Sequence, residues 1–181
     1  SYKRLNGNES ASLLLDYVLS QRERQGKLSS NGIVYDTIVS TDLGRKIAKS
    51  HNVAVESFLT GFKFIGDRIG FSEDLGYGPH CEFGYEESYG CLIGTYARDK
   101  DAIVATMAFC EAAAYYKTKN KTLWDAMLEL YEKYGYYKEE IQSITLKGIE
   151  GLAKIQEIMN ILRKNPPKQI ASYRVTAARD Y

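Results

Sequence analysis

Ile33 to Val39 is a short β-branched run, entered from the turn Ser29-Ser30-Asn31-Gly32, and it predicts a strand. Thr41 or Asp42 can cap a helix running to about Asn52, with Leu43 and Ile47 inward. Val53 to Leu59 then sets Val53 and Val55 against Ala54, Glu56 and Phe58, and predicts a second strand. This strand–helix–strand order constrains the chain more than any other feature. It implies two parallel strands and a right-handed crossover, because the connection is too long for a hairpin. In open parallel sheets, ligands bind outside the carboxyl ends of the strands.

The flanking segments extend the pattern. Ser10 to Gln25 predicts a helix with Leu13, Leu14, Tyr17 and Val18 at helical spacing, closed by Gly26. Thr60-Gly61-Phe62-Lys63-Phe64-Ile65-Gly66 leaves the second strand as a loop, and Phe71 to His80, with Gly76, Gly78 and Pro79, reads as a mobile connection. Cys81 to Tyr85 predicts a third strand, followed by a polar loop from Glu86 to Lys100. Asp101 to Lys117 and Thr122 to Tyr134 predict helices, the second capped by Thr122 and closed by Gly135.

The pattern changes at that glycine. Tyr136 to Leu146 is strand-like, Gly148 to Lys164 is an amphipathic helix ended by Pro166-Pro167, and Gln169 to Val175 reads as one more strand. The expected fold is therefore α/β: a three-layer domain over residues 1–134, with a mostly parallel mixed sheet flanked by helices. A truncated α+β segment follows over 135–181, too short for a complete domain.

Composition excludes several function classes. Lys plus Arg is 24 and Asp plus Glu is 23, a formal net charge of +1, which gives no electrostatic reason to seek nucleic acid or an anionic membrane surface. No apolar run approaches the roughly 20 residues that span a bilayer. Three cysteines without C-x-x-C spacing and two histidines argue against a disulfide framework and a zinc site, and read as reduced thiols in a cytoplasmic protein. The start at Ser1, without Met or a hydrophobic leader, reads as a piece excised from a longer polypeptide.

The loops after the second and third strands are expected at one sheet edge, carrying Thr60, Gly61, Glu86, Glu87, Ser88, Arg98 and Lys100. Adjacent ionised carboxylates accept hydrogen bonds from vicinal sugar hydroxyls, and Ser88 adds a group that donates as well as accepts. Arg98 and Lys100 supply cations for a phosphate, or Lys100 transfers a proton if burial and cationic neighbours lower its pKa. Taken singly, Glu86-Glu87-Ser88 is the composition of a solvated turn, and Arg98-Asp99-Lys100-Asp101 that of a charged helix start. Joint placement is what points to a site. Ser50-His51-Asn52 has no third partner in view, so His51 reads as a surface residue. The chain has no glycine-rich dinucleotide fingerprint and no P-loop.

Three of these stretches resemble the α-D-phosphohexomutases, the phosphoglucomutase and phosphomannomutase family. Thr60-Gly61-Phe62-Lys63-Phe64-Ile65-Gly66 is similar to the family's T-G-x-K-F/Y-I-G loop, and Gly84-Tyr85-Glu86-Glu87-Ser88 to its G-x-E-x-S sugar loop. Arg98-Asp99-Lys100-Asp101 is similar to its R-x-K-D helix start. The resemblance implies a third, sugar-binding domain followed by the beginning of a fourth. It implies a phosphosugar ligand contacted by Glu86 and Ser88, with Thr60, Gly61, Lys63 and Arg98 shaping the site and Lys100 as a general acid or base. It also implies a reaction moving a phosphoryl group between the 1- and 6-positions of a hexose, through a phosphoserine and a hexose bisphosphate. Mg²⁺ and the nucleophile belong to domains outside this stretch, with which the chain would make intramolecular contacts. The phosphoserine loop T-A-S-H-N-P, the D-G-D-G-D-R metal loop and the R-x-S-G-T-E phosphate loop have no match here, so the fragment alone is expected to be inactive. A histidine that follows the sugar loop in some members is Gly90 here. A phosphopentomutase fragment and a non-catalytic sugar-phosphate-binding or interaction module remain open alternatives.

Overall fold

The structure, a computed structural model, describes residues 2–181. The chain divides into two compact units, Ser1–Glu139 and Glu140–Tyr181. In the first unit, helix α1 spans Gly7–Arg24, strand β1 Gly32–Thr37, helix α2 Asp42–Ser50 and strand β2 Ala54–Phe58. Helix α3 follows over Phe62–Leu75, then strands β3, His80–Tyr85, and β4, Cys91–Ile93, and helices α4, Ala102–Lys117, and α5, Leu123–Tyr134. The four strands form one sheet in the order β2-β1-β3-β4. β1 lies parallel to both β2 and β3, while β3 and β4 are antiparallel. The sheet is mixed, mostly parallel and flanked by helices.

Alternation along β1 separates two cores. Val34 joins Leu13, Leu14, Leu15, Leu19, Ile47, Met127 and Leu130, so α1, α2, α4 and α5 cover one face. Ile33 and Tyr35 point the other way, into Phe62, Ile65 and Ile69 of α3. Leu13, Leu14, Leu15 and Leu19 are all fully buried, and each contributes roughly 1.5–3 kcal/mol of transfer free energy. Three consecutive buried leucines mean that α1 is enclosed on more than one side. It is the central helix of its layer.

β3 breaks the alternation once. Ile33 pairs with Cys81 and Val34 with Phe83, so Glu82 is an extra residue in the ladder. Two consecutive side chains then share a face, as β-bulges allow. Cys81 consequently packs with α3, whereas Phe83 and Tyr85 pack with α1 and α2. Glu82 is fully buried and is held by Arg22 and by the Ser29 amide at 2.9 Å.

Several sequence expectations are corrected. The stretch after β2 is α3 rather than a loop and a mobile connection: Phe62, Ile65, Ile69 and Ser72 are buried at helical spacing. Gly66 hides this helix from propensity, yet a Cβ there would overlap the Arg98 carbonyl. α1 starts earlier than Ser10 because Asn6 accepts from the Glu9 amide while Glu9 accepts from the Asn6 amide, a capping box worth about 1 kcal/mol. The polar stretch 86–100 contains β4. Tyr136 to Leu146 has no regular secondary structure, since no neighbouring strand among the described residues satisfies its backbone.

In the second unit, helix α6 spans Gly148–Lys164 and two short strands, β5 at Gln169–Ile170 and β6 at Tyr173–Arg174, form a hairpin. Gln169 to Val175 is thus a turn-centred pair of strands rather than one, with Ala171 in the left-handed region at φ 51°. Arg163 donates to both oxygens of Asp180, at 2.6 and 3.1 Å.

Candidate functional site

The sheet order puts β1 between β2 and β3, so three loops leave the same carboxyl edge side by side. Gly61, at φ 118°, is the N-cap of α3 and supplies no side-chain cap. Its amide instead donates to Glu86 Oε1 at 3.1 Å. Glu86 follows directly on β3 and is only 8% exposed. Gly84 faces Ile65 and Phe62 of α3, and Glu86, two residues on, shares that face. The bulge at Glu82 is what sets this parity.

Lys100 closes the arrangement from the turn before α4. That turn is pinned by Asp101, whose amide donates to Cys91 O at 2.9 Å and whose carboxylate accepts from the Ile103 and Val104 amides. Lys100 Nζ lies 3.6 Å from Glu86 Oε2, 3.1 Å from Asp99 Oδ1 and 5.6 Å from the centre of the Phe62 ring. Gly90 makes room for it: a Cβ at 90 would overlap Lys100 Cδ and stand 3.2 Å from Glu86 Oε2. The Asp99 carboxylate, with Glu86 behind it, raises the Lys100 pKa above the usual lysine value. Its neighbours are anions, not the cations that would make it a base. Lys100 is held as an ammonium, a donor toward an oxygen and an electrostatic partner for a phosphate.

The second carboxylate of the pair turns elsewhere. Thr37, the last residue of β1, donates through Oγ1 to Glu87 Oε2 at 3.2 Å. Ser40 Oγ lies 2.9 Å from Thr37 Oγ1 and accepts from the Thr37 amide at 3.3 Å. Beneath them, Asp36 is fully buried and shares Ser57 and Arg45 as partners. Burial pushes the Asp36 carboxyl up to about 6, against the pull of Ser57 and Arg45.

The structure brings Gly61, Glu86 and Lys100 together, with Thr60 exposed beside Gly61. Ser88 is exposed in the 86–90 turn, where its hydroxyl has no partner among the described residues. Arg98 and Lys63 do not join them. Arg98 pairs with Glu73 and donates to Thr95 O at 2.6 Å. With Lys63, Phe64, Arg68 and Phe71 it lines an open hollow of about 840 Å³ on α3 that includes neither Glu86 nor Lys100. The expectation that all the charged loop residues meet at one point is therefore corrected: α3 stands between them. His51 is also not an ordinary surface residue, since its ring is 9% exposed and its Nδ1 lies 2.8 Å from Glu23. Sequence reasoning passes over Thr37 and Ser40, whose importance appears only once the β2-β1-β3 order is known.

Comparison with known proteins gives a consistent picture. The family model described as phosphoglucomutase/phosphomannomutase, alpha/beta/alpha domain III, matches residues 6–134. The phosphoglucomutase of Staphylococcus aureus strain bovine RF122 / ET3-1 is 36% identical over 176 residues, covering 97% of this chain and 31% of the relative. That of strain MRSA252 matches to the same extent. The chain thus spans about a third of the length of these curated relatives. Among solved structures, a Thermus thermophilus protein assigned as a phosphomannomutase aligns with TM-score 0.54 at 19% identity, over 72% of this chain and 26% of that one. The Paramecium exocytosis-sensitive phosphoprotein pp63/parafusin, a phosphoglucomutase in its open form, aligns with TM-score 0.53 at 20% identity, over 75% and 22%. At that identity the likeness concerns the fold alone.

Proposed function

The chain belongs to the phosphoglucomutase/phosphomannomutase family, and from that premise we propose that it supplies sugar recognition to an enzyme interconverting hexose 1-phosphate and hexose 6-phosphate. In this reading residues 1–134 act as the third domain and 135–181 open the fourth. The rest of the catalytic machinery lies in further domains of a longer polypeptide.

The observation that carries the proposal is the Glu86 carboxylate. It is nearly buried at the carboxyl edge of the sheet and spans the Gly61 amide and the Lys100 ammonium. An ionised carboxylate offers about four lone-pair sites, so two protein partners leave capacity for sugar hydroxyls. Ser88, exposed four residues after Gly84, adds a donor and acceptor at the same turn. A mutase must hold its bisphosphate intermediate in two orientations. Groups that grip hydroxyls common to both serve that need better than a contact to one phosphate. Lys100, kept protonated by Asp99 and Glu86, acts as the acid beside the transferring oxygen.

Mg²⁺ does not fit here: among the described residues no group of three or more His, Cys, Asp or Glu side chains could hold a metal ion. The metal and the phosphoserine are assigned to other domains, and no step is derived through them on this chain. As for membranes, no helix among the described residues is long and apolar enough to cross one.

Titration of the labelled chain with glucose 1-phosphate, followed by NMR, tests the reading. Shifts are expected at residues 60–61, 86–90 and 100, and Glu86→Ala is expected to abolish them. A wild-type spectrum unchanged at millimolar ligand sinks the proposal.

A further inference from the structure

Glu86 and Glu87 are adjacent and chemically identical, and both stand on the loop assigned to the sugar. Their carboxylates nevertheless face different partners. Glu86 reaches Gly61 and Lys100, whereas Glu87 receives a hydrogen bond from Thr37, which is 1% exposed at the end of the central strand.

The hydrogen-bond directions around Thr37 are fixed by elimination. A carboxylate only accepts, so Thr37 Oγ1 spends its proton on Glu87. Ser40 must then donate to Thr37 Oγ1, and its own lone pair receives the Thr37 amide. Every proton in the chain has one place to go. The same turn is closed by Ser40 N donating to Thr37 O at 2.9 Å.

A second contact fixes the loop from the opposite side. Gly7 presses its Cα against the Glu87 carbonyl, so closely that a Cβ would overlap that oxygen and stand 2.9 Å from Tyr89 N. Tyr89, at φ 70°, returns its hydroxyl to Leu5 O at 3.3 Å. The loop itself is closed by Glu86 N donating to Gly90 O at 2.8 Å.

We infer that Thr37, Ser40 and Glu87 form a latch: Glu87 is a positioning residue that ties the loop to β1 and so aims Glu86 and Ser88, rather than a ligand group itself. The latch divides the labour of the carboxylate pair, with one anion for the substrate and one for the scaffold. Its effect on ligand binding rests on the sugar reading above; its effect on loop order does not.

Amide hydrogen exchange and glucose 1-phosphate titration of the whole chain test the latch together. Thr37→Val keeps the shape and deletes the donor. It is expected to speed exchange of the Glu86 amide about tenfold, with the Leu14 amide of α1 unchanged and Thr37→Ser restoring the wild-type rate. An unchanged Glu86 amide, or an equal acceleration at Leu14, overturns the proposal. In the titration, Thr37→Val and Glu87→Ala are each expected to weaken binding about fivefold, and the double variant no further. Multiplying effects would mean that Glu87 meets the sugar directly, which also overturns it. Should the wild-type chain show no ligand shifts, the sugar reading fails, and the exchange experiment still decides the latch.

Discussion

Glu86 Oε1 accepts the Gly61 amide at 3.1 Å, and this one bond joins the loop after β3 to the first turn of α3. Gly61 caps a 14-residue helix without a side-chain cap. A carboxylate at that end satisfies one of the orphan amides and lies favourably in the helix dipole. Glu86 is thus a structural anion before any ligand arrives, and it is poised rather than mobile.

Glu86→Gln separates those two roles. The amide oxygen still accepts from Gly61, so the urea midpoint is expected to stay close to wild type. The charge facing Lys100 is lost, and with it the strong acceptor for a sugar hydroxyl. Affinity for glucose 1-phosphate, read by NMR titration, should fall about tenfold or more. Unchanged affinity would remove Glu86 from the site.

Gly90→Ala tests the space reserved for Lys100. The new Cβ would overlap the aliphatic part of that lysine, which is flexible and about half exposed. Stability should change by less than about 1 kcal/mol, because the obstructing atoms can swing away. The Lys100 ammonium would leave Glu86, visible as altered chemical shifts at the Lys100 Cε and Glu86 Cδ carbons. A crystal structure of the variant with Lys100 unmoved would contradict the steric argument.

Asp36 predicts a pH dependence. Its carboxyl is raised from 3.8 to about 6 in the fold, so between those values the native state keeps a proton that the unfolded chain has lost. Stability from this group is therefore full below about pH 4 and declines as pH rises to about 6, by roughly 2–3 kcal/mol in total. Asp36→Asn should flatten that decline. Urea unfolding of both proteins across pH 4–7 gives the comparison, and parallel curves would refute it.

Arg22→Ala would strand the Glu82 carboxylate, which is fully buried and has Arg22 as its charged partner. A broken buried pair costs about 3–5 kcal/mol, so the urea midpoint should fall steeply. Adding Glu82→Gln should recover part of the loss. If the single variant unfolds like wild type, water already reaches Glu82.

Much of the fold is legible in the sequence, for identifiable reasons. Thr41 caps α2 as expected, and Ile33 and Tyr35 alternate with Val34 across two cores. Asp101 and Thr122 start their helices at the expected positions. α3 is not legible because Gly66 and Gly70 depress helix propensity, and only tertiary crowding against Arg98 explains why Gly66 is there. β4 escapes because three residues carry too little alternation to register. At the site, Gly61, Glu86 and Lys100 are candidates from sequence and do meet. The separation of Arg98 and Lys63 from them is not legible, since it depends on which side of α3 each one leaves.

The extra residue at Glu82 has a further consequence. Side chains along a strand follow a wave with a period of two, and the bulge shifts that wave by half a cycle. Downstream, Glu86 emerges on the α3 side only because the shift occurred. Deleting one residue from β3 would restore the regular wave and send Glu86 toward the opposite layer, away from Gly61. Substitutions in β3 would mostly change its packing, whereas a single-codon deletion would reverse its polarity. The site depends on how many residues precede Glu86 as strictly as on what those residues are.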